Sequence, residues 1–486
     1  ADSGVYHPYI TLPQNHTSSD SLWNCCYFTL LTAFGAFRLS AVKLRASPHE
    51  MASTASVCAV RPTAQRAAGR VERSNTARLH AFARGQPLLQ TQKLAKNRRA
   101  TCAAKAKRSS LVVKASLLSC HGGSFLSADE KAELEEVAEL IGQAGKGITA
   151  CDEGPATIGS RFEAVGIENT EENRRAYRQM LFETPGANEY LSAAILDPET
   201  LYQRSSTDDM LFPEKLSSLG IVPGVKPHLK VYALPGQAGS TVMQGLDSLS
   251  ARCKEYKAAG CRFAKWRSPL AIDVASGQPS DLVIEANMLD LARYALICQD
   301  EGLVPIIEPD VSLTGDHDLE TAVAINVKIQ ATLYKACLDH GVYMEGCVLK
   351  SNIVNPGKSC PIPYTVEEIA HANIATLKRC MPVAIRTANF LSGGQSLADA
   401  SARLSVMNKV KGTFPVNLSF SWSAALQMPL FALCKGKGGL CLDEMSELYL
   451  NELKIASAAS LGKHDPARGE GDHVPPAVKA KEAVAA

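Results

Sequence analysis

Several signals are missing from this 486-residue chain. None of its 15 cysteines forms a Cys-x-x-Cys pair, and none stands at a zinc-ligand separation from a histidine, so zinc-finger and thioredoxin-like readings have no support. Most cysteines sit inside apolar patterns, as at Cys298 and Cys337, where a thiol behaves as a small buried hydrophobe, and a reducing compartment is the simplest inference. Long apolar runs are absent as well. The one near the front, residues 22–37, is broken by Asn24 and is too short to span a bilayer comfortably, so no membrane partner is expected. Negative charge is almost absent from residues 51–120, which hold 14 Lys and Arg against Glu72 alone.

That basic stretch divides the chain. Residues 121–486 carry 34 positive and 45 negative side chains, so the overall charge of +2 conceals two pieces with different purposes. The first starts at Met51-Ala-Ser-Thr-Ala-Ser56 and is rich in Ala, Ser and Arg, the composition of an organelle transit peptide, and its low early charge leans towards a plastid. A disordered nucleic-acid-binding tail is the alternative; no aromatic interleaving or nucleic-acid module supports it, and no nucleic-acid partner is expected. Residues 1–50 precede that methionine and are expected to be non-native upstream sequence, and residues 464–486 a flexible tail.

Between 121 and 463 short apolar runs ending in polar residues alternate with stretches of helical period, the texture of an α/β fold with parallel strands. Strands are predicted at 147–152, 191–197, 221–226, 261–267, 303–308, 346–350, 383–392 and 416–421. Helix starts of the capping-box kind appear at Ser127-Ala-Asp-Glu130, Thr365-Val-Glu-Glu368 and, more weakly, Ser396-Leu-Ala-Asp399; Gly341 and Pro382 read as stops. Eight such units in one domain favour a closed (β/α)8 TIM barrel over an open doubly wound sheet, and no Gly-x-Gly-x-x-Gly follows the first strand to support a dinucleotide site.

In such a barrel the C-terminal ends of the strands converge on one mouth, where the chemistry is found. Those ends read Asp152, Asp197, Lys226, Lys265 with Arg267, Glu308 with Asp310, Lys350, Ser392 and Ser421. A single Asp or Ser after a strand is often only a turn former or cap, and one lysine can snorkel to solvent. Three lysines at one level on separate strands are harder to explain structurally, because lysine is depleted in strands and costly to bury. An amine attacks a ketone only when neutral, and desolvation beside another cation favours that form. Lys350, with Lys265 as cationic neighbour, is therefore the expected imine former, Glu308 the proton shuttle, and Asp152 the acceptor of the hydroxyl proton that drives carbon–carbon cleavage. Lys226, Arg267 and the backbone of Ser392-Gly393-Gly394 offer contacts to anions, and the set suits a phosphorylated keto sugar.

The stretches Gly145-Lys-Gly-Ile-Thr-Ala-Cys-Asp-Glu153, Phe263-Ala-Lys-Trp-Arg267, Val304-Pro-Ile-Ile-Glu-Pro309, Gly346-Cys-Val-Leu-Lys350 and Phe390-Leu-Ser-Gly-Gly-Gln-Ser396, in this order, resemble class I fructose-bisphosphate aldolase of the plastid type. The resemblance implies a homotetramer of β/α barrels, no metal or other cofactor, and reversible cleavage of fructose 1,6-bisphosphate to dihydroxyacetone phosphate and glyceraldehyde 3-phosphate. It also implies that Lys350 forms the imine, that Glu308 is the acid/base, and that Asp152, Lys265 and Arg267 are their close partners.

Departures from the family pattern bear on the phosphates. Gly154 stands where the family has a phosphate-contacting Ser, with Thr157 expected to keep a second hydroxyl; Asp310 is a shortened acid; and Ser351 replaces a proline. In Phe420-Ser-Trp-Ser-Ala-Ala-Leu-Gln427, Ala424 replaces the arginine that grips the first phosphate, and the compensating cation is expected to be Arg161. The family's final tyrosine is missing from the tail, so proton exchange beside the imine should be slow. The expected function is thus a Schiff-base aldolase with weakened phosphate binding. Competing readings are a diverged aldolase-like binding or structural protein, and another phosphosugar barrel enzyme such as an isomerase, which would not need lysines on three strands.

Overall fold

The computed structural model describes residues 122–237 and 239–464; the basic stretch 51–120, the segment before it and the tail beyond 464 lie outside the described residues. In chain order the strands are β1 (Gly147–Cys151), β2 (Leu191–Leu196), β3 (Val222–Val225), β4 (Val231–Ala233), β5 (Thr241–Met243), β6 (Phe263–Leu270), β7 (Val304–Val311), β8 (Val348–Leu349), β9 (Thr387–Phe390) and β10 (Asn417–Trp422). All but β4 and β5 close into one barrel, ordered β1-β10-β9-β8-β7-β6-β3-β2 with every neighbouring pair parallel. The closed barrel of the sequence reading is what is found.

The helices are α1 (Ala128–Ile141), α2 (Pro155–Glu163), α3 (Glu171–Glu183), α4 (Pro198–Leu201), α5 (Phe212–Ser218), α6 (Leu249–Ala258), α7 (Asp281–Asp300), α8 (Leu319–Asp339), α9 (Val366–Cys380), α10 (Leu397–Val410), α11 (Ala424–Leu433) and α12 (Leu442–Ser460). The Ser127 hydroxyl accepts from the Glu130 N–H at 3.2 Å and the Glu130 carboxylate accepts from the Ser127 N–H at 2.7 Å, completing the capping box of α1. Thr365 and Glu368 do the same for α9. At α10 the shorter Asp399 returns only to the Ser396 hydroxyl, so that box stays half closed. Gly341, at φ 71°, ends α8 in a left-handed residue that suits glycine.

Strand ends shift, as 346–350 narrows to the two residues of β8 and the strands predicted to stop at 267 and 308 run on to Leu270 and Val311, and two further features differ from the prediction. The run 383–392 shrinks to the four residues of β9, because Pro382 opens a turn in which the Ile385 N–H donates to the Pro382 carbonyl at 3.1 Å. The antiparallel hairpin β4–β5 was not expected: its three-residue strands are too short for an alternating pattern, and β4 is wholly exposed.

The barrel encloses an apolar plug. Ile148, Ala150, Ala193, Ile195, Val222, Phe263, Val304, Ile306 and Val348 form one buried cluster with Leu134, Val137, Ala138 and Ile141 of α1, which therefore lies against the lower end of the barrel. Side chains alternate along a strand with period two, so each residue two positions beyond an upper member of this cluster must also point inward. That rule carries Ala150 to Asp152, Phe263 to Lys265 and then Arg267, Ile306 to Glu308 and then Asp310, and Val348 to Lys350. The lower layers are hydrocarbon and the top layer is charged.

Candidate active site

The top layer surrounds a cavity of about 320 Å³. Four carboxylate and four cationic side chains face it, among them Asp152, Glu308, Lys265 and Lys350. Lys265 Nζ lies 2.8 Å from Asp152 Oδ2 and 3.0 Å from Glu308 Oε2, and Lys350 Nζ lies 3.2 Å from Glu308 Oε1. The Lys265, Glu308 and Lys350 side chains are each no more than 5% exposed. Lys265 and Lys350 are thus neighbours as expected, but the Glu308 carboxylate bridges them, one oxygen to each Nζ.

Burial pushes the Asp152 carboxyl upward, yet the ammonium of Lys265, helped by Lys350 and Lys226, overrules it and holds the group far below the usual carboxylate range. Burial acts on Glu308 in the same way, and Lys265 and Lys350 again prevail, keeping it ionised. Burial alone would depress Lys265, but Asp152 and Glu308 hold it above its ordinary value, so it stays a cation at neutral pH. Asp310 behaves differently: burial outweighs Arg267, whose Nε donates to Asp310 Oδ2 at 2.6 Å, and the carboxyl is raised.

The predicted substrate contacts divide. Arg267, Arg161, Ser392, Gly393 and Ser421 line the cavity. Gly393 and Gly394 have φ of 58° and 83°, a left-handed pair that turns the loop after β9 along the cavity wall. Thr157, exposed on α2, and Lys226 stand outside the lining set. Lys226 is engaged from behind: its Nζ donates to Asp197 Oδ2 at 2.8 Å and to the Asp152 carbonyl at 2.5 Å, so it steadies the strand end that presents Asp152.

Glu153 and Ser423 were missed. Arg161 Nη2 donates to Glu153 Oε1 at 2.8 Å, its Nη1 donates to Gln427 Oε1 at 3.1 Å, and the Ser423 hydroxyl donates to the same Glu153 oxygen. Gln427 is fixed in turn by donating from Nε2 to the Ala150 carbonyl at 2.7 Å. Ser423 immediately precedes α11 and Ala424 opens it, both on the cavity wall, so the Arg161 guanidinium lies beside the position where the family arginine is replaced. The one available signal for Glu153 was a second acid directly after Asp152 at a strand end.

A protein-family model described as fructose-bisphosphate aldolase class-I matches residues 133–480. A fructose-bisphosphate aldolase of Echinococcus multilocularis is 47% identical over 342 residues, covering 70% of this chain and 93% of that protein. Fructose-bisphosphate aldolase 4, cytosolic, of Arabidopsis thaliana is 43% identical over 341 residues, covering 70% and 86%. Among solved structures, the Plasmodium falciparum fructose-bisphosphate aldolase, in complex with TRAP and a small-molecule inhibitor, superposes with a TM-score of 0.67 at 39% identity, covering 70% of this chain and 97% of that one. With barrel, charged mouth and these relatives in agreement, the chain belongs to the class I fructose-bisphosphate aldolase family.

Proposed function

We propose that this protein reversibly cleaves fructose 1,6-bisphosphate to dihydroxyacetone phosphate and glyceraldehyde 3-phosphate through an imine on Lys350. The observation that carries this reading is the Glu308 carboxylate between Lys350 and Lys265, with Asp152 on the far side of Lys265. Lys350 gives a proton to Glu308 Oε1, 3.2 Å away, its neutral Nζ adds to the ketone carbon, and a second proton moves from that nitrogen to the alkoxide oxygen to give the carbinolamine. Glu308 returns a proton to the carbinol oxygen, water leaves, and the iminium withdraws electrons from the adjacent carbon. Asp152, kept ionised by the lysines, takes the proton of the hydroxyl one carbon further on, and the bond between those two carbons breaks to release the aldehyde. Lys265 holds both carboxylates in place and offsets their charge as protons move.

Phosphate recognition on this reading falls to Arg267, Arg161 and the backbone of the Gly393-Gly394 loop. Arg161 shares its guanidinium with Glu153, so it grips a phosphate more weakly than an unshared arginine would. Borohydride reduction in the presence of dihydroxyacetone phosphate tests the chemistry: the adduct should map to Lys350, and Lys350→Met should abolish it. A labelled peptide from elsewhere in the chain would overturn the assignment.

We further place the protein in the plastid stroma as a homotetramer. The basic, acid-poor composition of residues 51–120 supports the location. N-terminal sequencing of the native protein should find a start near residue 120, and light scattering should give four chains per particle.

A further inference from the structure

The connection between α11 and α12 carries chemistry that the barrel mouth does not use. Cys434 directly follows α11 and Cys441 directly precedes α12, and their Sγ atoms are 2.8 Å apart. That separation needs only a small movement to reach a disulfide bond of about 2.05 Å. Cys434 is buried and its sulfur lies 3.4 Å from Met445 Sδ, whereas Cys441 is partly exposed. The intervening Lys435-Gly-Lys-Gly-Gly-Leu440 doubles back on itself. Gly436 and Gly438 take left-handed φ of 77° and 72°, the Lys437 N–H donates to the Cys434 carbonyl at 3.0 Å, and the Cys441 N–H points at Cys434 Sγ at 3.4 Å. Cys253 and Cys298 also approach, to 3.9 Å, but both are buried between α6 and α7, where no reagent reaches them.

We propose that Cys434 and Cys441 form a reversible disulfide that fastens the end of α11 to the start of α12. The oxidant is a second disulfide, of a small molecule or a protein. Cys441, the less buried of the two residues, attacks it; the reagent's S–S bond breaks, a mixed disulfide forms on Cys441, and the first thiol leaves with the Cys441 proton. Cys434 then attacks Cys441 Sγ, and the second thiol leaves with the Cys434 proton. Two protein thiols are oxidised by two electrons in all, and one disulfide is reduced to two thiols. Burial, then the neighbouring Cys434 sulfur, pushes the Cys441 thiol up to about 12, so little of it is thiolate at neutral pH and exchange is slow. Because α11 begins at the cavity wall with Ala424, closing the ring restrains the helix that carries that wall.

The pair is independent of imine chemistry, and so is its test. The full-length protein is reduced, equilibrated with oxidised glutathione, blocked with iodoacetamide and digested with trypsin. Cleavage after Lys435 and Lys437 places the two cysteines on separate peptides. They should appear as one linked species, two hydrogens lighter than their sum, and separate again with dithiothreitol. Cys441→Ser should leave the peptide containing Cys434 unlinked while aldol cleavage by the reduced protein is unchanged. Full alkylation of both thiols at equilibrium, glutathione retained on Cys441 without ring closure, or linkage of Cys434 to Cys360 or Cys380 would overturn the proposal.

Discussion

Two positions that depart from the family pattern, Ala424 on the cavity wall and Gly154 at the start of α2, sit where a side chain could be put back. A charge-assisted hydrogen bond contributes about 1.5–3 kcal/mol, so Ala424→Arg should tighten binding of the bisphosphate by roughly tenfold to over a hundredfold. A coupled assay comparing KM for fructose 1,6-bisphosphate between the variant and the parent protein checks it; an unchanged KM would show that Arg161 already does the work. At Gly154, the N-cap of α2, an added Cβ would meet only Asp197 Oδ2 at 3.7 Å and Lys226 Nζ at 3.9 Å, which is ordinary contact. Gly154→Ser should therefore fold normally and raise thermal stability by a few tenths of a kcal/mol through the cap. The ion network sets a pH window. Asp152 and Glu308 are depressed below ordinary values of 3.8 and 4.5, so their stabilisation is complete above those values and is lost as pH falls through the lower folded ones. Lys265 is raised above 10.5, so its contribution is complete below 10.5 and disappears only at higher pH. Urea midpoints measured across pH should fall on the acid side in two stages, first below about 6.5, where His228, held far lower by burial, is protonated only on unfolding, and then below 4.5, where the ion network is lost; Lys265→Met should remove most of the second stage. The inward-facing lysines and acids were legible from the sequence, because a charged residue two places beyond an apolar run has few structural excuses. The Arg161–Glu153–Ser423 contact was not, since Arg161 and Ser423 are 262 positions apart and no local pattern connects them.

Secondary-structure elements were easiest to anticipate where period and capping agreed. The capping boxes of α1 and α9 were readable because their partners are three residues apart. Strand limits were harder: β8 holds only two residues, and its inward lysine is positioned by the backbone bond from the Lys350 N–H to the Ile307 carbonyl at 2.9 Å. Glycine also works at this scale. An added Cβ at Gly224 of β3 would stand 2.3 Å from the buried Phe263 ring, which itself lies two residues below Lys265. Gly224→Ala should thus cost about 1–3 kcal/mol by overpacking, and should lower kcat as well by shifting β6. Ser127→Ala, by contrast, removes only a cap and should cost about 1 kcal/mol with kinetics intact. Denaturant titration beside steady-state rates separates the two outcomes.

The molecule as a whole places its charged layer on a floor of hydrocarbon closed from below by α1. Leu134, 1% exposed, is part of that floor, so Leu134→Ala should cost about 2–5 kcal/mol while the folded fraction keeps its catalytic constants. The four acids and four bases around the mouth have a broader consequence, for their formal charges cancel. An approaching polyanion senses no net attraction until it is within a few ångströms, where it must displace internal partners one by one. Sugar phosphates should accordingly be sorted by fit at close quarters rather than gathered from a distance, and kcat/KM should change little as sodium chloride is raised from low to physiological strength.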